Sequence, residues 1–190
     1  MEEKELIRLA QQGNGEAFGQ LVERYKTKVF SLAYGLTRDR ATADDLAQEI
    51  LIKAYYVLPK FKFRSEFGTW LFRVAVNHIK DYLRKTQRRR QDVPLQNVPE
   101  KEVATEGRSY EEEQEEAERR TLVWGALRRL PQKFLVILTL RDIQGLSYEE
   151  IARVLSISLG TVDSRLFRAR KMLRERLTEN IEGKGGRNEL

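Results

Sequence analysis

Apolar residues recur along most of this chain at intervals of three and four, the spacing that puts them on one side of a helix. Residues 4 to 12 predict a short first helix that stops at Gly13-Asn14-Gly15. Residues 16 to 36 predict a second, with Phe18, Leu21, Val22, Tyr25, Val29, Leu32, Ala33 and Leu36 facing inward. A polar break runs from Thr37 to Ala41, and Thr42 opens a third helix. Threonine with Asp45 three residues later resembles a capping box, and early acids suit the positive end of a helix dipole. Leu46, Ile50, Ala54, Val57 and Leu58 point to a core; Asp45, Gln48, Glu49 and Lys53 stay outside, as on any solvated helix face. Pro59 stops this helix. A fourth covers about residues 66 to 86, with Phe67, Leu71, Val74, Ala75, His78 and Tyr82 on one arc.

Helical spacing ends there. Residues 91 to about 115 carry Pro94, Pro99, Gly107 and few large apolar groups, and then the acids Glu111, Glu112, Glu113, Glu115 and Glu116. Such a segment cannot bury enough surface to fold alone and reads as a flexible linker. Periodicity returns near Ala117. Leu122, Trp124, Ala126, Leu127 and Leu130 predict one helix; Pro131 starts another, which carries Phe134, Leu135, Ile137, Leu138 and Ile143 and ends near Gly145. Ser147 with Glu150 forms a second capping-box pattern, ahead of a short helix whose apolar face is Ile151, Ala152 and Leu155. Ser156-Ile157-Ser158 breaks the period and offers a further cap. In the helix after it, Val162, Leu166, Ala169, Leu173 and Leu177 share a narrow arc. The expected architecture is therefore all-α: a domain over 1–90, an acidic linker over 91–116, a helix-turn-helix domain over 117–178 and a flexible tail over 179–190.

Charge narrows the partners. With 190 residues, 34% of them charged, and a net charge of +6, the chain favours a polyanion. Cysteine is absent, which excludes disulfides, thiolate metal sites and cysteine nucleophiles, and makes a cytosolic setting natural. His78 is the one histidine and lies on an apolar arc, so it reads as structural. No catalytic residue, metal ligand set, cofactor loop or small-molecule substrate site emerges. The N-terminus lacks the basic and apolar regions of a signal peptide, and no apolar run reaches the ~18 residues of a membrane span.

Three stretches carry candidate chemistry. Lys60-Phe61-Lys62-Phe63-Arg64 interleaves rings and cations. That pattern suits unstacked bases and phosphates of a single strand, and equally suits aromatic plugs of a core. On the fourth helix Arg73, Asn77, Lys80 and Arg84 form a polar strip with Trp70 at its edge, running into Arg88, Arg89 and Arg90. On the last helix Asp163, Ser164, Phe167, Arg168 and Lys171 lie opposite the apolar arc. A phenylalanine among such groups fits base-edge contact in a DNA major groove, although a basic helix face is often merely solvated.

With these residues identified, the chain resembles an extracytoplasmic-function sigma factor of bacterial RNA polymerase, of the sigma-70 family. The resemblance rests on Asp44-Asp45-Leu46-Ala47-Gln48-Glu49, on Phe67 to Asn77, and on Leu146 to Ala152 with Gly160 to Arg170. It implies two helical domains, σ2 and σ4, and a non-enzymatic promoter-specificity subunit whose partners are core polymerase and promoter DNA. Asp44, Asp45, Gln48 and Glu49 match the helix that docks on the β′ clamp helices; the β flap is the other implied contact. Phe61, Phe63, Arg64, Trp70 and Asn77 match the pocket that captures a flipped base of the −10 element, and Arg73, Lys80 and Arg84 would hold the opened strand. Asp163, Ser164, Phe167 and Arg168 match the −35 readers, with Thr161, Arg165 and Lys171 near the same duplex and Arg165 and Lys171 toward its phosphates. Relatives often carry a base at Asp163; an acid there repels phosphate and can accept from a cytosine amino group. An anti-sigma factor, often membrane-anchored, is implied as inhibitor, with the sigma factor in the cytoplasm. The competing reading is a helix-turn-helix regulator that binds duplex DNA without polymerase; it would need neither the clamp-docking face nor the aromatic loop. The acids at 111–116 either fold back on the Arg88 to Arg90 cluster or simply keep the linker solvated.

Overall fold

The computed structural model describes residues 1–91, 119, 121–127 and 129–185, and among these every regular element is helical. The linker acids and the side chains of Arg88, Arg89 and Arg90 lie outside the described residues. The first domain holds α1 (Glu3–Gln11), α2 (Gly15–Thr37), α3 (Arg40–Val57), a 3-10 turn at Leu58–Lys60 and α4 (Phe67–Gln91). The second holds α5 (residues 121–127), α6 (Gln132–Leu138), α7 (Tyr148–Leu155) and α8 (Leu159–Gly185).

Helix starts follow their caps. Asn14 Oδ1 accepts from Ala17 N at 2.9 Å and opens α2. Both halves of the predicted capping box at α7 are present: Ser147 N donates to Glu150 Oε2 at 2.7 Å and Glu150 N to Ser147 Oγ at 3.2 Å. At α3 the prediction misses. The cap is Asp39, whose carboxylate accepts from Thr42 N at 2.7 Å, so the helix begins at Arg40 and Thr42 lies inside it. An aspartate outcompetes threonine as an N-cap. The break shrinks to Arg38 and Asp39, with Arg38 ending α2 in the left-handed region at φ 60°. The end of α8 is also later than predicted. It continues to Gly185 instead of yielding to a tail at 179, since no proline interrupts it.

One irregularity left no trace in the pattern. Beyond α6 the backbone widens into a π segment, Thr139–Ile143, in which Gln144 N reaches Thr139 O at 3.0 Å. Its exit is tied down by Arg141 Nη1, which donates to Leu146 O at 2.7 Å.

Leu6, Leu21, Leu32, Leu46, Ile50 and Leu71 form the core of the first domain, and Ile137, Leu140, Ile151, Val162 and Leu166 that of the second. The domains then pack on each other, α7 against α4 and the π segment against α2. With this third partner α4 buries Phe72, Val76 and Ile79 in addition to the predicted Phe67, Leu71 and Ala75.

Candidate nucleic-acid interface

Helix α3 keeps Ala43, Leu46, Ala47, Ile50 and Ala54 inside and leaves Asp44, Asp45, Gln48 and Glu49 exposed. Ile52 and Tyr56 stand in the same stripe, 58% and 73% exposed. The sequence reading missed both, although they sit seven and eleven positions after Asp45, where a 3.6 period returns to the same face. His78 does more than plug an apolar arc. Its Nε2 lies 2.7 Å from Glu49 Oε2 and ties α4 to the outer face of α3.

The aromatic loop resolves the two options left open by sequence, and it resolves them differently for each ring. Phe61 is 6% exposed, its ring centroid 4.9 Å from Phe63, 5.2 Å from Trp70 and 6.0 Å from Phe67. It is a core plug and cannot itself stack on a base, which corrects its assignment to the base pocket. Gln11 pins the turn from α1, donating from Nε2 to Leu58 O at 3.1 Å and to Phe61 O at 2.7 Å. Phe63 is 40% exposed and sits at φ 55°, so the backbone turns outward there, beside Arg64 and with the Arg8 guanidinium 5.9 Å from its ring. The ring available to a base is Phe63, carried on a plinth of Phe61 and the partly buried Trp70.

Along α4, Asn77 is exposed. Its neighbours on the strip are engaged. Arg73 Nε donates to Arg153 O at 3.0 Å, and its Nη2 reaches the same oxygen. Lys80 is half-buried, and burial first, then the nearby Arg165, holds its pKa below the ordinary lysine value. Arg84 pairs with Asp81 at 3.0 Å.

On α8 the predicted faces hold. Val162, Leu166 and Ala169 are buried, while Asp163, Ser164, Arg168 and Lys171 are exposed and Phe167 is 70% exposed. Thr161 serves the helix start, its Oγ1 2.8 Å from Ser158 Oγ and its N–H donating to that oxygen at 3.2 Å. Arg165 is half-buried against the first domain. A residue the sequence did not single out, Arg170, anchors α8 to the π segment. It donates to Asp142 at 2.9 Å, and that hydrogen bond raises its pKa.

The Sigma-70 region 2 family matches residues 21–89, and the Sigma-70 region 4 family matches residues 120–173. The ECF RNA polymerase sigma-E factor of Haemophilus influenzae is 38% identical over 90% of this chain and 93% of its own. The chain is an extracytoplasmic-function sigma factor. The RNA polymerase sigma-H factor of Pseudomonas aeruginosa is 37% identical over 90% of the sigma factor and 92% of its own length, and the sigma-E factor of Escherichia coli 38% over 88% and 90%. Among solved structures, CnrH in complex with the cytosolic domain of CnrY gives a TM-score of 0.69 at 26% identity, covering 93% of this chain and 97% of that one. RpoE in complex with the anti-sigma factor NepR from Bartonella quintana gives 0.68 at 27%, covering 85% and 96%. The region 2 match takes in α3, the aromatic loop and most of α4; the region 4 match ends within α8, beyond its exposed polar face. Helix α1 lies outside both, yet it braces the sigma factor's loop through Gln11 and meets α2 through Glu3 Oε1, which accepts from the Tyr25 hydroxyl at 2.7 Å. Burial, with the Glu3 bond second, raises the Tyr25 pKa. No helix among the described residues is long and apolar enough to cross a membrane.

Proposed function

We propose that this sigma factor brings core polymerase to its promoters through three separate faces and adds no catalytic chemistry of its own. Asp44, Asp45, Gln48 and Glu49 dock on the β′ clamp helices, with Ile52 and Tyr56 extending the contact. Phe63, Arg64, Trp70 and Asn77 receive a −10 base, and Arg73, Lys80 and Arg84 track the strand. Ser164, Phe167 and Arg168 read the −35 duplex, with Asp163 biasing one position toward cytosine and Thr161, Arg165 and Lys171 at its edge. The β flap holds the second domain. An anti-sigma factor restrains the protein in the cytoplasm, at the inner membrane where that partner is anchored there, and release delivers it to the nucleoid.

The observation that carries this reading is the exposed polar face of α8, where Phe167 is 70% exposed between Ser164 and Arg168 while Val162 and Leu166 are buried behind it. A ring exposed beside a serine and an arginine on the second helix of a helix-turn-helix fits base-edge contact in a major groove. Run-off transcription with core polymerase on a promoter library tests it. The expected result is core-dependent initiation at sites sharing a −35 and a −10 motif. Duplex binding with no transcription under any promoter would instead favour a regulator that acts without polymerase.

A further inference from the structure

Helix α1 lies outside the region 2 match, yet it touches the aromatic loop through two residues on one flank, Arg8 and Gln11. The Gln11 amide donates to Leu58 O at 3.1 Å and to Phe61 O at 2.7 Å, carbonyls that bracket the 3-10 turn. Two residues further on, Phe63 holds φ 55°. Arg38 and Ser156, the other non-glycine residues with positive φ among those described, end helices, where the left-handed conformation is ordinary. Phe63 ends none, and a bulky residue keeps such a backbone only where its surroundings over-determine it. Here they do. Gln11 fixes the carbonyl of Phe61, and the Phe61 ring meets the Phe63 ring at 4.9 Å. The Arg8 guanidinium stands 5.9 Å from the centre of the Phe63 ring. Arg8 is exposed, and among the described residues no carboxylate pairs with it.

We infer that α1 is part of the −10 base site, with Gln11 as a positioning residue and Arg8 as a second contact to the captured nucleotide. Gln11 holds the loop in the conformation that turns Phe63 outward. Arg8 lays its guanidinium on the face of the base that Phe63 leaves open, so the base is held between ring and cation. The inference rests on the proposal that Phe63 receives a −10 base. A planar cation suits that place. Guanidinium planes stack on unpaired bases as aromatic rings do, whereas an ammonium is a point charge with no plane to stack. The arginine stem is long and exposed, so the head group lifts off the ring to admit the base.

The test uses holoenzyme made with the full chain and forked −10 DNA, intact or carrying an abasic site at each single-stranded position in turn. Phe63→Ala marks the captured nucleotide as the position where an abasic site removes that variant's defect. Arg8→Ala should melt as wild type, because the side chain is exposed, and bind the intact fork about fivefold or more weakly. On a fork that is abasic at the captured position it should equal wild type. Arg8→Lys keeps the charge, loses the plane and should recover little. Gln11→Leu, of similar size but with no donor, should show the same position-dependent defect. Gln11→Asn, which keeps the amide but withdraws it from the loop, repeats the measurement with less disturbance to the fold. If these variants bind the intact fork as wild type while Phe63→Ala fails, the base site stands without α1 and the inference is overturned. A defect that persists undiminished on the abasic fork overturns it too, since the loss then comes from a phosphate contact or from the fold. Full rescue by Arg8→Lys overturns the stacked contact. If Phe63→Ala itself binds every fork as wild type, the base-site reading fails and the inference with it.

Discussion

Phe61 and Phe63 are two residues apart in one aromatic loop, and the structure gives them opposite exposures. Phe61 is 6% exposed and meets three rings, those of Phe63, Phe67 and Trp70. Truncation to alanine removes a buried ring and leaves a cavity that Trp70, itself held by Phe67 at 5.4 Å, cannot collapse into. The expected cost is about 3–5 kcal/mol. Its lower bound of ~3 kcal/mol corresponds to a fall of roughly 12–24 °C in the melting temperature of a domain this small. Phe63 is 40% exposed and loses only one ring contact and a long-range arginine contact, about 1 kcal/mol together. Its larger loss lies in function, since one stacked base is worth about 1–3 kcal/mol, roughly a 5- to 150-fold weaker interaction. The paired assay is thermal unfolding of the free chain and binding of forked −10 DNA by the holoenzyme. Phe61→Ala should melt early; Phe63→Ala should melt nearly as wild type and bind the fork poorly. If Phe61→Ala keeps the wild-type melting temperature but loses the fork, the buried plug is wrong and Phe61 faces DNA after all.

The other expectations are briefer. Asp44→Lys with Asp45→Lys should weaken core binding without lowering stability, because both carboxylates are exposed; unchanged affinity in a titration against core polymerase would remove α3 from the contact. Arg168→Ala should relax one −35 position at a cost of about 1–3 kcal/mol, and a selection that returns the wild-type motif at full information content contradicts its role. Asp39 accepts hydrogen bonds from the Thr42 side chain and backbone, which hold its carboxyl below the usual aspartate value. That stabilisation is present above the ordinary carboxylate range and fades as pH falls through the folded value, so Asp39→Ala should cost about 0.5–2 kcal/mol near neutrality. Melting curves of the two proteins should converge in acid; a constant gap would mean that the cap is not ionic.

What the sequence showed and what it hid divide along a physical line. The capping box at Ser147 and Glu150 was legible because side chains three residues apart satisfy each other's backbone, and the residue types announce it. The α8 faces were legible because burial of Val162, Leu166 and Ala169 imposes the helical period on the letters themselves. The Thr42 start was misread because Asp39 and Thr42 both carry cap-forming groups, and only the geometry ranks them. Phe61 and Phe63 share one residue type, and nothing local says which ring the φ of 55° at Phe63 turns outward. The domain contact was hidden for a deeper reason. Part of it is the missing Cβ of Gly35, a backbone carbonyl at Arg153 and a π segment, none of which has a residue signature. The rest, Phe72, Val76 and Ile79, keeps helical spacing but adjoins the arc of Phe67, Leu71 and Ala75, so the letters show one broad apolar face on α4 and not that α7 joins α2 and α3 in covering it.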